Sequence, residues 1–441
     1  MKKFNRIWIV VLLALICGNL KGQSGNWSDM DHIKLFGGGG TPTNPYIISI
    51  PEHLAYLAVA INNGITAYAT SNYRLDADID LDMYKWDVPI GIASLPFQGT
   101  FEGNEGNQYR IMNMRDKGLF GYTENAVIKN ITLDGSSGNI FSIDNYCGSF
   151  IGYADHTEVK NCFVNNFSLY ADFSSGTNYV GGFIGYADNN SVLTNCGFSG
   201  NITGFHGSNT YGGFIGSCYY GVEVYDCFAE GRVINDYNGS ATGGFIGAVN
   251  YDKNIIQDCY STCQTIGMNN VGGFLGNIGQ YVDEVSVTGC RASGSVWGTG
   301  SVGGFIGYTS GKANFSQCLA EGEVTGTSSM VGGFVGIFEA NAPTFSHCRS
   351  KGSVVGLRGT VGGFVGEGIG GEIIHCAAEG AVNGEEYVGG FGGDLASTIS
   401  NCYAYGDVSG VEDVGGFGGR IDESISDCYA VGTVKGNNSI G

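Results

Sequence analysis

Apolar and polar positions along most of the chain alternate with a period of two, and the alternation breaks at regular intervals. In Cys428-Tyr429-Ala430-Val431-Gly432-Thr433-Val434, the Cys, Ala, Gly and Val lie two apart. That is the strand period, and it puts these four on one face. An apolar residue stands three positions before the Cys, out of phase with it, so a bend lies between. Asn161, Asn195, Asp226, Asp258, Asn401 and Asp427, each just before a Cys, supply residues suited to such a corner.

The block recurs. Its Cys falls at Cys162, Cys196, Cys227, Cys259, Cys290, Cys318, Cys348, Cys376, Cys402 and Cys428. Each copy follows a second motif, Val-Gly-Gly-Phe-[Ile/Val]-Gly, centred on Phe150, Phe183, Phe214, Phe245, Phe274, Phe305, Phe334, Phe364, Phe391 and Phe417, with Leu119 opening the series at spacings of 26–33 residues. Paired glycines before each Phe allow a positive φ or the close approach of the next coil. A unit of this length holding two or three short strands is one coil of a solenoid, in which like residues stack about 4.8 Å apart. The pattern predicts an all-β, single-stranded parallel β-helix (a β-solenoid) of about eleven coils, with ladders of Phe and Cys as its core.

Only the N-terminal part carries a helical period. Ser49-Ile50-Pro51-Glu52 reads as a capping box with Pro in the first turn, Leu54, Leu57, Ala58 and Ile61 form a stripe, and Gly64 ends the run. A helix over 50–63 suits a cover for the open end of the first coil. Residues 1–22 have basic Lys2, Lys3 and Arg6 before an apolar run from Ile7 to Ile16, a secretory leader with cleavage expected after Gly22. The predicted organisation is a signal peptide (1–22), a cap with irregular opening coils (23–115) and the solenoid (116–441). The array stops where another Val-Gly-Gly-Phe is due, which reads as truncation.

Composition narrows the function. The 77 Gly and 6 Pro among 441 residues show no every-third register, excluding collagen, and the 43% hydrophobic content excludes a disordered linker. Formal charge is −20, or −24 without the leader's four cations. Nucleic acid and anionic lipid both call for Lys and Arg, so neither is an expected partner.

The Gly-[Leu/Phe]-[Ile/Val]-Gly core, as in Gly118-Leu119-Phe120-Gly121 and Gly332-Gly333-Phe334-Val335-Gly336, resembles the GLUG motif. That motif repeats in bacterial surface and adhesin-like proteins and in non-catalytic parts of IgA-specific metallopeptidases. Asn44-Pro45-Tyr46-Ile47, the helix, Asp78-Ile79-Asp80-Leu81 and Pro89-Ile90-Gly91 are similar to the segment that precedes such repeats in exported Bacteroidetes proteins. The resemblance implies β-helical repeats, a secreted or cell-surface location and an interaction role, with no catalytic residue to carry over.

Candidate sites follow from the ladders. The residue after each column Cys faces outward, and Phe163, Phe228, Tyr260, Tyr403 and Tyr429 fill half of these places; Glu230, Glu321 and Glu379 lie two further on. An aromatic stripe beside carboxylates suits a neutral glycan or a host or matrix protein, although Tyr and Phe also simply favour β-surfaces. Asp76, Asp78, Asp80 and Asp82 alternate, projecting from one face where Ca²⁺ could bridge them; the alternative is a hydrated acidic face. Cys spacing is wrong for zinc, so the column reads as a buried thiol ladder, with Cys147, Cys218 and Cys263 off it and Cys259 with Cys263 as the candidate covalent pair. His347 and His375 read as corner residues rather than metal ligands. No His-Glu-x-x-His and no phosphate loop is present. The leading expectation is a non-enzymatic, monomeric, adhesin-like binding module without a cofactor. A carbohydrate-active β-helix enzyme, or a passive stalk of a larger surface protein, is the alternative.

Overall fold

A computed structural model describes residues 36–441, apart from 83, 105–108, 136–138, 143–144, 174–176, 206–207, 236–238, 252, 283, 328–329 and 340–342. The leader lies outside the described residues. The chain is a parallel β-solenoid with three sheets, the third of which begins at Tyr146–Gly148. In the coil around Phe334, Val335–Phe338 and Thr344–Ser346 belong to the first face, Arg349–Ser350 and Val354–Gly356 to the second, and Val361–Gly362 to the third. Every strand pairs in parallel with its counterpart one coil away, as Val335↔Val365, Arg349↔Ala377 and Val361↔Val388 show.

The corner between first and second faces is a single residue in the left-handed region. Asn130, Asn161, Asn195, Asp226, Asp258, Gln317, His347, His375, Asn401 and Asp427 all have φ between 51° and 60°. Asn and Asp tolerate this conformation best among side-chain-bearing residues. The amides also form their own ladder, Asn195 Nδ2 donating to Asn161 Oδ1 at 2.9 Å and Asn161 Nδ2 to Asn130 Oδ1 at 3.0 Å.

Inside, the Phe ladder forms as predicted. From Phe150 to Phe417 consecutive rings stack with centroids 4.6–5.1 Å apart and planes within 4–18°. Leu119 is fully buried below Phe150, in register with it through Phe120↔Ile151. The paired glycines work by close approach, since neither adopts positive φ in any copy. A Cβ on Gly333 would collide with the Gly363 carbonyl oxygen, and one on Gly332 with that of Val335.

Column cysteines Cys162 to Cys402 are buried, Cys428 is partly so, and all are free thiols. Each donates to the carbonyl two residues back, as Cys162 Sγ does to Lys160 at 3.3 Å. The candidate Cys259–Cys263 bond is corrected: both are buried free thiols. Four residues apart on an extended backbone they share the inward face but sit about 13 Å apart, beyond disulfide reach.

The helix, α1 (Pro51–Asn62), lies between the first two strands of the first face, Tyr46–Ile48 and Asn72–Leu75, which pair with each other. Its Leu54, Leu57, Ala58 and Ile61 join the solenoid core. The capping box does not form. Ile50 is the N-cap and has no capping oxygen, while the Ser49 N–H donates to His53 Nδ1 at 3.2 Å. The C-terminus closes as read: Gly64 at φ 83° donates to Ile61 and Ile65 N–H donates to Ala60, the paired bonds of a Schellman motif. Strands of the first face stack in register from Tyr46 onward, so the opening coils are continuous with the repeats.

Candidate functional site

The aromatic and acidic residues after the Cys column do share one surface, the outside of the second face. Register runs Phe163, Gly197, Phe228, Tyr260, Arg291, Leu319, Arg349, Ala377, Tyr403, Tyr429. The stripe is therefore two aromatic patches with a charged stretch between. At one patch Phe228 and Tyr260 stack at 5.4 Å and the Tyr260 hydroxyl donates to Glu230 Oε1 at 3.2 Å. At the other, Tyr403 stacks on Tyr429 at 5.7 Å, and Tyr405 joins them, its hydroxyl 2.9 Å from that of Tyr429. This hydrogen bond holds the Tyr429 phenol above its ordinary value. Tyr405 and Tyr429 are about half exposed, at 48% and 49%. Between the patches Glu321 pairs with Arg291 and, at 3.5 Å, with Lys351, while Glu379 lies 3.9 Å from Arg349. Glu321 and Glu379 thus belong to an ion-pair ladder, whereas Glu230 accepts from the Tyr260 hydroxyl.

Stacking changes what these rings offer. Parallel neighbours cover each other's faces, so a ladder presents ring edges and hydroxyls outward rather than flat platforms.

The four aspartates do not form one face. The strand carrying Leu75 ends there, Asp76 to Asp78 turn the corner, and Ile79–Asp80 begins the second face. Each carboxylate has its own partners: Arg74 for Asp76, Arg110 for Asp78, Asn113 and the Asp82 amide for Asp80, and Arg115 at 2.8 Å for Asp82. Among the described residues no group of three or more His, Cys, Asp or Glu is placed to hold a metal ion. His347 and His375 lie 4.9 Å apart on their corner with their rings tilted at 41°.

Two groupings escaped the sequence reading. The first is a tyrosine cluster where the third and first faces meet. Tyr153 stacks on Tyr122 at 5.5 Å and on Tyr186 at 5.0 Å, Tyr146 on Tyr179 at 5.9 Å, and Tyr219 closes on Tyr186 at 4.6 Å. Tyr153 also donates to Asp188 at 3.1 Å. Burial pushes the phenols of Tyr146, Tyr153, Tyr179 and Tyr186 up. The signal was visible: coils 145–155 and 178–188 share Asn-Tyr-x-Gly-x-Phe-Ile-Gly-Tyr-Ala-Asp. At its N-terminal end the cluster borders a cleft of about 490 Å³.

The second is a carboxylate pair on the first face. Glu367 and Asp394 are register partners, with Arg420 next, 3.4 Å from Asp394. Burial first, then repulsion by Asp394 and Glu339, raises the Glu367 carboxyl; burial also raises that of Asp394. These residues fall on three successive coils, so no single stretch of sequence shows them together.

Residues 176–203 match the family described as the GLUG motif. No curated protein matches the chain. A solved structure of an "IgA1 Protease" is 18% identical with a TM-score of 0.42, covering 69% of this chain and 21% of that one, so this chain spans about a fifth of its length. A "putative immunoglobulin A1 protease from Bacteroides ovatus" is 17% identical with a TM-score of 0.37, covering 66% of this chain and 79% of that one. The GLUG match spans a coil whose Phe183 and Cys196 occupy the two ladders that recur in register up the solenoid. The chain thus carries a GLUG motif at residues 176–203, within a coil whose Phe and Cys ladders recur along the solenoid.

Proposed function

We propose that this β-helix is an exported, non-enzymatic binding module that presents its second face at the cell surface or outside the cell. The observation that carries this reading is the patch of exposed Tyr405 and Tyr429 with half-buried Tyr403, held on a stacked ladder and repeated in kind at Phe228 and Tyr260. Tyrosine offers a large amphipathic contact at low entropic cost, and its hydroxyl edge is what this stacking leaves outward. A neutral glycan or an extended host or matrix protein would meet several coils at once, and weak contacts add by avidity. The acidic charge disfavours anionic polysaccharide. The basic, apolar leader and the GLUG motif support export; among the described residues no helix is long and apolar enough to cross a membrane.

A glycan and matrix-protein array probed with wild type and with the Tyr403→Ser/Tyr429→Ser double variant tests the reading. Binding by wild type that the double variant loses is expected; binding unchanged in the variant rejects this face, and no binding at all favours a passive stalk. A second reading, a carbohydrate-cleaving β-helix, draws on Glu367 and Asp394, whose raised carboxyls suit acid–base work. Turnover of a polysaccharide that Glu367→Gln abolishes would establish it.

A further inference from the structure

The cleft beside the tyrosine cluster has the character of a discrete ligand site. Its floor and one wall are Tyr122 and Tyr146, whose rings stand at 89° with centroids 6.1 Å apart. Neighbouring coils set both rings: Tyr153 stacks on Tyr122, and Tyr146 is stacked on Tyr179 and held edge-on by Tyr153 and Tyr186, each at 5.1 Å. The aromatic corner is therefore built before any ligand arrives. Asp87, Lys117 and the exposed Asn145 also line it. At about 490 Å³ the cleft is within the usual size of small-ligand sites.

This combination selects for one chemistry. A pyranose has an apolar C–H face that packs on an aromatic ring and a girdle of hydroxyls that both donate and accept. The amide of Asn145, exposed in the lining, can both donate to and accept from such hydroxyls. One acid and one base leave the lining without net charge, which favours an uncharged ligand. We infer that the cleft formed by Tyr122, Tyr146, Asn145, Asp87 and Lys117 binds a sugar unit of a neutral glycan. The site lies away from the second face and stands or falls independently of the reading of that face.

Calorimetric titration of the full chain with cellotriose, xylotriose, mannotriose, chitotriose and trigalacturonate tests it. Saturable one-to-one binding of at least one neutral trisaccharide is expected. Tyr146→Ala and Asn145→Ala should each weaken that binding by about tenfold or more, while Tyr403→Ser/Tyr429→Ser leaves it unchanged. Melting curves establish that each variant is folded; Asn145 is exposed, so its variant carries the test should Tyr146→Ala fail to fold. Absence of binding to all four neutral probes, preference for trigalacturonate, or affinity unmoved by Asn145→Ala overturns the inference.

Discussion

At each corner before a column Cys one residue takes a positive φ, between 51° and 66°, and its identity sets a small local energy. Left-handed backbone costs most side-chain-bearing residues about 1 kcal/mol, less for Asn. Gln317, at φ 55°, is the poorest fit in the series. Gln317→Asn should therefore raise stability by about 0.5–1 kcal/mol, read as a shift in urea midpoint without change in slope. Residues inside the ladders matter more to stability. Phe334 is fully buried between Phe305 and Phe364, so Phe334→Ala should cost about 3–5 kcal/mol. Tyr403→Ala, on the outer face, should cost far less, and equal melting shifts for the two would reverse the assignment of faces.

Single strands here are only two to ten residues long, so each depends on its neighbours above and below. On the first face this places Glu367 directly over Asp394, where burial raises the Glu367 carboxyl. A raised acid favours the folded state most when protonated. Its contribution is complete below the unfolded value near pH 4 and is lost as pH rises through the folded value. Glu367→Gln removes that loss. The variant should melt higher than wild type at pH 7, and the gain should vanish at about pH 4; a gain that persists in acid would show that repulsion and burial are not its source.

Over the whole molecule the Phe and Cys ladders run through one long core cluster with a smaller valine cluster beside it, so the protection of an interior group reports on its own coil and the coils it stacks against. Stacking from Tyr46 to the last coil gives an axis of roughly 60 Å at about 4.8 Å per coil. Burial pushes the thiols of Cys162, Cys218 and Cys318 up, and that of Cys263 up to about 12. Thiolate is the reactive form, so these cysteines should resist iodoacetamide in the native protein and react fully in denaturant. Mass spectrometry finding Cys318 joined to Cys348 would overturn the free-thiol ladder.

Periodicity alone determined the solenoid, its Phe and Cys columns and the corner before each Cys, because identical residues in stacked coils must meet themselves. It also placed Tyr260, Tyr403 and Tyr429 on one outer surface. The same alignment puts Arg291, Leu319, Arg349 and Ala377 after their own column Cys, so the division into two patches was already written in the motif; that Glu321 and Glu379 are taken up by Arg291, Lys351 and Arg349 was not, because those pairs form between coils. The aspartates misled for a related reason: alternation in Leu75 to Asp82 looks like one strand, but Asp76 to Asp78 turn a corner. Sequence read along one coil is blind to neighbours a coil away. Glu367 over Asp394, Tyr122 against Tyr146, and the ring stacking that turns aromatic faces inward all arise between coils, and only the tertiary structure decided them.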